Sequence, residues 1–195
     1  MNFLAHQFLS FHKTELQIGN LYGEIVRVKD YLDYPAGIQK GILLHRSIDS
    51  YTDSNETVKN STRLFHAKYG KFAPVIVDVL YDYFLIKNWK TYTNEDFEEF
   101  VSDCYLLFRE RFEEFPPNLQ NIVKHLLKYD WFHNYSNYDG IRETLNGISH
   151  RSKFENNIDE AVNELIEFEE QLNNDFNLFF PKLIEHCKNF IKTES

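Results

Sequence analysis

Residues 72–89 read FAPVIVDVLYDYFLIKNW, and this apolar run limits the fold more than any other stretch of the chain. Its Val, Ile and Tyr content would suit a β-strand, but strands seldom exceed about ten residues, and Pro74 near the start suits the first turn of a helix. Asp78 and Asp82 interrupt it, so neither this run nor any other segment reaches the ~18 uninterrupted apolar residues of a membrane span. The pattern predicts a buried helix around which the rest of the chain must pack.

The remaining segments also read as helices. Residues 2–12 and 15–28 suggest two short ones, and Pro35 opens a longer one to Ser54 in which Ile38, Ile42, Leu44, Ile48 and Tyr51 recur at three- and four-residue steps. A helix over 56–69 closes at Gly70. Asn94 is the expected cap of a helix reaching to about residue 115, where Pro116 and Pro117 end it. Segments 118–129 and 138–149 follow, then a long acidic helix from Asn157 with a break at Pro181. With 7 Gly and 5 Pro in 195 residues and no convincing strand pair, the expectation is one all-α domain spanning residues 1–195.

Composition excludes several classes. Charged residues at 26 % beside 43 % hydrophobic ones argue against disorder, and an aromatic content of 16 % points to a core of large rings. Cys104 and Cys187 are too few for a disulfide framework and read as small buried apolar residues. The amino terminus, MNFLAHQFLSFHK, has no basic leader region and is interrupted by His6 and Gln7, so a first helix and a cytoplasmic location are expected. A net charge of -9 makes nucleic acid an unsuitable general partner. The acidity is uneven: residues 1–90 hold 11 Lys and Arg against 9 Asp and Glu, and residues 91–195 hold 10 against 21. An acidic partner could therefore meet the first half.

Chemistry-bearing residues share helix faces. Positions four apart differ by about 40° around the axis and about 6 Å along it, so His45, Asp49 and Asp53 form one stripe. Asp78 and Asp82 repeat the spacing on the apolar helix, where paired carboxylates are expensive to bury without protons or a cation. A divalent metal would compensate them. The structural alternatives are a core network of Asp78 and Asp82 with Arg46 or Arg63, and a cap role for Asp53 with Ser54 or Asn55.

Five stretches in order, MNFLAH (1–6), GNL (19–21), GILLHRSIDSYTD (41–53), APVIVDVLYDYFL (73–85, with Trp89 after it) and LNGISHR (145–151), make the chain resemble the acyl carrier protein phosphodiesterases. The resemblance implies an all-α hydrolase, a distant HD-domain-like variant. It implies cleavage of the phosphodiester between 4'-phosphopantetheine and a serine of holo-acyl carrier protein, with Mn2+, or else Mg2+ or Fe2+, as cofactor. It further implies His6, Glu24, His45, Asp49, Asp78 and Asp82 as metal ligands or their neighbours. Arg46 is then a phosphate clamp, Asn20 orients water or phosphate, and Glu24 and Asp49 join them in catalysis. Glu24 stands where the family usually has Asp, and HRSID separates His from Asp by a turn where ordinary HD proteins have them adjacent. An acidic carrier as partner implies a basic rim from Arg27, Lys29, Lys40, Arg46, Lys59 and Arg63. A phosphohydrolase of nucleotides or other small diesters, and a helical binding protein without catalysis, are the alternatives.

Overall fold

The computed structural model describes residues 1–27, 29–154 and 156–193. Among them every regular element is helical: α1 (Phe3–Phe8), α2 (Thr14–Gly23), α3 (Ala36–Ser54), α4 (Glu56–Tyr69), α5 (Ala73–Lys87), α6 (Trp89–Tyr92), α7 (Phe97–Glu110), α8 (Pro117–Lys128), α9 (Trp131–Asn134), α10 (Tyr138–Arg151), α11 (Val162–Glu167) and α12 (Glu169–Thr193), with short 3-10 turns between several. The protein is all-α, as its periodicity predicts. No helix among these residues is long and apolar enough to cross a membrane.

The apolar run forms α5, whose Ile76, Val77, Leu80, Tyr81 and Phe84 are buried. It packs against α1, α4, α10 and α12. Tyr81 meets Phe176 of α12 edge-on with ring centres 5.3 Å apart, and its hydroxyl lies 3.0 Å from that of Ser61 on α4. Burial of these rings supplies most of the drive for packing, since each removes a large apolar area from water.

The most extensive helix pair is α2 with α3, and it is made by glycine. A Cβ on Gly19 would stand 2.4 Å from the carbonyl oxygen of Ile38 and 2.6 Å from Cα of Gly41, and a Cβ on Gly41 would meet Gly19 at 2.6 Å. One turn further along, a Cβ on Gly23 would fall 2.3 Å from the His45 ring. The two backbones therefore touch directly, and His45 occupies space that any other residue at position 23 would take.

Several boundaries differ from the sequence expectations. Helix α1 stops at Phe8, because Phe11 and His12 turn the chain with φ of 50° and 54°. Helix α2 stops at Gly23, and residue 28 of the expected segment lies outside the described residues. Asp96, with extended backbone just before α7, caps that helix by accepting from Glu98 N at 2.9 Å; Asn94 stands too early to do so. That helix ends at Glu110, and a 3-10 turn, Phe112–Glu114, follows. Asn55 caps α4, accepting from Thr57 N at 2.9 Å, so Asp53 has no cap role there. Helix α12 runs through Pro181 without the expected break. Its buried stripe, including Leu172, Phe176 and Phe180 before the proline and Leu183, Cys187 and Ile191 after it, holds both halves in register, which outweighs a cost of about 3 kcal/mol for an interior proline.

Gly41→Ala should destabilise the protein by about 1–3 kcal/mol through backbone overlap with Gly19. Urea unfolding checks it, and a midpoint equal to that of the natural chain would contradict the direct α2–α3 contact.

Candidate metal centre

The site begins with the placement of α1, a helix of six residues that cannot persist alone. Its natural cap position, Asn2, makes no side-chain cap bond. Asp82 on α5 does the work instead, accepting from Leu4 N at 2.9 Å and Ala5 N at 3.2 Å. Asp82 is fully buried. Burial pushes its carboxyl up to about 7, against the opposing pull of the Met1 amino group and the two amide donors.

His6 then projects from α1 toward α2 and α3. The amide of Asn20 on α2 donates to the His6 carbonyl oxygen at 3.2 Å and to Ser10 Oγ at 2.7 Å. With both donors spent there, Asn20 Oδ1 faces His6 Nδ1 at 2.9 Å and accepts its proton. This fixes the neutral tautomer in which Nε2 carries a lone pair. That lone pair points at Asp49 Oδ1, 3.2 Å away.

On the other side of the same carboxylate, His45 Nε2 lies 3.2 Å from Asp49 Oδ2. The His6 and His45 rings stack at 4.2 Å between centres. His45 Nδ1 is buried with no hydrogen-bond partner among the described residues. The His6 and His45 side chains are 3 % and 9 % exposed whereas Asp49 is 42 % exposed, so the cluster opens to solvent on its carboxylate side.

The electrostatics follow from this arrangement. Burial, with the neighbouring His45 ring, pushes His6 down to about 4, although Asp49 pulls the other way. Burial opposes ionisation of Asp49, but a proton on the His45 or His6 nitrogen that faces it holds its carboxyl well below the usual carboxylate range. Glu24 follows Gly23, with part of its side chain open to solvent; the protein packed round its carboxyl raises it, with Asp49 and Asp78 adding to the effect against the pull of His45.

Such a cluster suits a cation. A neutral imidazole lone pair 3.2 Å from a carboxylate oxygen is repulsive unless a proton or metal ion lies between, and the depressed basicity of His6 keeps the proton off near neutrality. The ligand atoms of His6, His45 and Asp49 lie within 4.8 Å of one another, and two imidazoles with one carboxylate fit a divalent ion of the Mn2+, Fe2+ or Zn2+ kind.

Not all the sequence candidates join this group. Asp78 lies with its Oδ1 2.8 Å from the Met1 amino group, which itself is 4.0 Å from Asp49 Oδ1. Asp82 has both oxygens engaged by α1 and is a cap, not one of the three grouped ligands. Arg46 donates to the carbonyl oxygens of Val26 at 3.2 Å and Arg27 at 2.9 Å and lies over the Tyr31 ring, so it ties down the segment after α2. Lys40 donates to Ile191 O, and Lys59 and Arg63 pair with Glu56, while Arg27 and Lys29 are exposed beside the rim. Ser10 and Gly23 also shape the site, though neither belongs to a metal-ligand pattern. Ser10 lies four residues after His6, the helical spacing by which its hydroxyl reaches the His6 carbonyl oxygen at 2.9 Å.

Fold and site together define an all-α protein with a buried histidine–carboxylate group able to hold a metal ion. A family model described as acyl carrier protein phosphodiesterase matches residues 1–183, and the chain belongs to that family. Curated relatives bear the same name. One from Klebsiella pneumoniae (strain 342) is 30 % identical over 190 residues, covering 97 % of this chain and 98 % of the relative. One from Enterobacter sp. (strain 638) has the same identity and coverage. One from Salmonella paratyphi A is 29 % identical over 186 residues, covering 94 % of this chain and 96 % of the relative. No solved structure matches.

Two outcomes are expected. Asp82→Ala should cost about 2–4 kcal/mol in urea unfolding, since it strands two amides at the start of α1; a loss below 1 kcal/mol would show that α1 is held by other means. The pH dependence has a definite sign. His6 titrates at about 4 in the folded state against 6.5 in the unfolded chain, so the unfolded state binds the extra proton between these values and stability falls as pH drops through them. With EDTA present, the advantage of the natural chain over His6→Gln should shrink by about 3 kcal/mol from pH 7 to pH 4. An advantage that stays constant would mean His6 is not held neutral.

Proposed function

We propose that this protein hydrolyses the phosphodiester joining 4'-phosphopantetheine to a serine of holo-acyl carrier protein, releasing the apo carrier and 4'-phosphopantetheine, with a divalent cation, preferentially Mn2+, at His6, His45 and Asp49. The observation that carries the reading is the opposition of the His6 Nε2 lone pair and Asp49 Oδ1 across 3.2 Å, with His45 on the second oxygen. A divalent cation, when bound, supplies Lewis acidity and charge neutralisation toward a phosphoryl group.

The chain's own residues provide the remainder. Asn20 keeps Nε2 of His6 free of a proton by holding the one on Nδ1, and Ser10 orients Asn20 in turn. Glu24, with a raised carboxyl, would take a proton from the attacking water, and the departing serine oxygen would take one from solvent. Its longer reach than Asp suits a residue at the edge of the cluster. Asp53, one turn after Asp49 on α3, adds negative charge near the centre that favours a cation, while the charge of Asp78 is matched by the Met1 amino group. Exposed Arg27 and Lys29 on the adjoining segment would meet an acidic carrier.

Intact-mass spectrometry of holo-acyl carrier protein tests this directly. Incubation with the protein and Mn2+ should remove phosphopantetheine, and EDTA or Asp49→Asn should stop the reaction. Asn20→Ala should weaken Mn2+ binding about 10–100-fold by calorimetry while the chain stays folded. Carrier of unchanged mass beside hydrolysis of a small diester such as bis(p-nitrophenyl) phosphate would move the activity to a small-molecule substrate. No turnover of either would leave a binding protein.

A further inference from the structure

Apart from the metal group, a hollow of about 560 Å3 lies between α8, α9, α10 and the start of α1. Its volume is that of a small-ligand site, which typically spans ~300–1,000 Å3. The stretch LNGISHR, none of whose residues belongs to the His6, His45 and Asp49 group, supplies much of one wall. Phe3 and Trp131 form an aromatic wall, their rings edge to face at 5.3 Å. Asn121 and Asn146 line the same hollow, as do His125, Glu143 and Arg151.

Two further observations indicate that something other than protein completes the cavity. Thr144, on its wall, has a hydroxyl buried without a hydrogen-bond partner among the described residues. Buried hydroxyls are normally satisfied. Gly147, also on the wall, lies inside α10, where glycine costs stability relative to alanine. Every other glycine in the chain has a local reason. Gly70 has a positive φ, and a Cβ at 19, 23, 37, 41 or 140 would stand within 3 Å of another atom. A Cβ at Gly147 would meet nothing within 4 Å. What its missing side chain preserves is the open space of the cavity.

The first residues of the chain link the cavity to the metal group. The Met1 amino group is 4.0 Å from Asp49, and the next two residues, Asn2 and Phe3, line the cavity. Resting on the function proposed above, we infer that this cavity binds the pantetheine arm of the substrate while the phosphodiester lies at His6, His45 and Asp49. An arm that alternates methyl and methylene groups with secondary amides matches a wall of aromatic rings, side-chain amides and an unsatisfied hydroxyl. A purely apolar acyl chain would leave those polar groups unpaired.

D-pantetheine alone, which lacks the phosphate, is the probe. Saturation-transfer NMR and Trp131 fluorescence should show saturable binding to the natural chain, with the fluorescence change lost in Trp131→Phe. Gly147→Leu, which fills the cavity, and Thr144→Val, which keeps its shape and removes the hydroxyl, should each weaken binding at least five-fold with Mn2+ affinity unchanged. For holo-carrier hydrolysis the same variants should raise KM more than they lower kcat. Absence of D-pantetheine binding, or equal binding by the natural chain and both folded variants, would overturn the inference. D-pantetheine binding that the two variants weaken, in a protein that leaves holo-carrier intact, would support the cavity assignment and overturn the phosphodiesterase reading.

Discussion

The direct contact between the α2 and α3 backbones is the constraint on which the site rests. Gly19 and Gly41 abut, and one turn later Gly23 and His45 repeat the pairing, with an imidazole filling the space that glycine leaves. Because Gly19 faces α3, Asn20 is turned about 100° round α2, and it is there that it meets His6 of α1. Asp49 follows His45 by a single turn and so reaches the same place. A larger residue at either glycine would separate the helices and part the imidazole on α3 from the amide that orients the other imidazole.

A second requirement is met at the far side of the cluster. Helix α1 brings His6 in but is too short to hold itself, and α5 anchors it with a carboxylate taken fully out of water. Burial alone would disfavour that carboxylate strongly. Two amide donors at the start of α1 and the nearby Met1 amino group offset part of the cost, and the carboxyl remains raised to about 7. Asp78, one turn earlier on the same helix, keeps its side chain 34 % exposed and interacts with the amino group itself. Identical side chains at identical helical spacing thus act differently because one faces a helix end and the other faces the solvent margin.

That difference marks what the sequence could disclose. Helix periodicity in 35–54 and the apolar run 72–89 located α3 and α5, and the four-residue step from His45 to Asp49 put two of the three grouped ligands on one face, because these depend on local geometry alone. The cap made by Asp82 joins residues 77 and 78 positions apart and leaves no local pattern. The forked side chain of Arg46 suits a phosphate, yet its Nη2 donates to backbone carbonyl oxygens of the segment after α2. Pro181 signalled a break that the apolar stripe on both sides of it overrides. The role of Gly147 was hidden for the opposite reason, since its signal is the lack of any neighbour.

The stacked imidazoles explain why a metal ion suits the proposed centre better than protons do. Two imidazolium charges at 4.2 Å would repel by about 4 kcal/mol even at an effective dielectric constant near 20, so the pair cannot both protonate to balance Asp49. Asn20 already occupies the one proton that neutral His6 carries. If His45 gives its proton to Asp49 through Nε2, its buried Nδ1 is left an unsatisfied acceptor; if the proton sits on Nδ1, it is left an unsatisfied donor, and both histidines then turn lone pairs on the carboxylate. No arrangement of protons satisfies all these atoms. A single divalent ion held by His6, His45 and Asp49 would meet both imidazoles and the carboxylate at once.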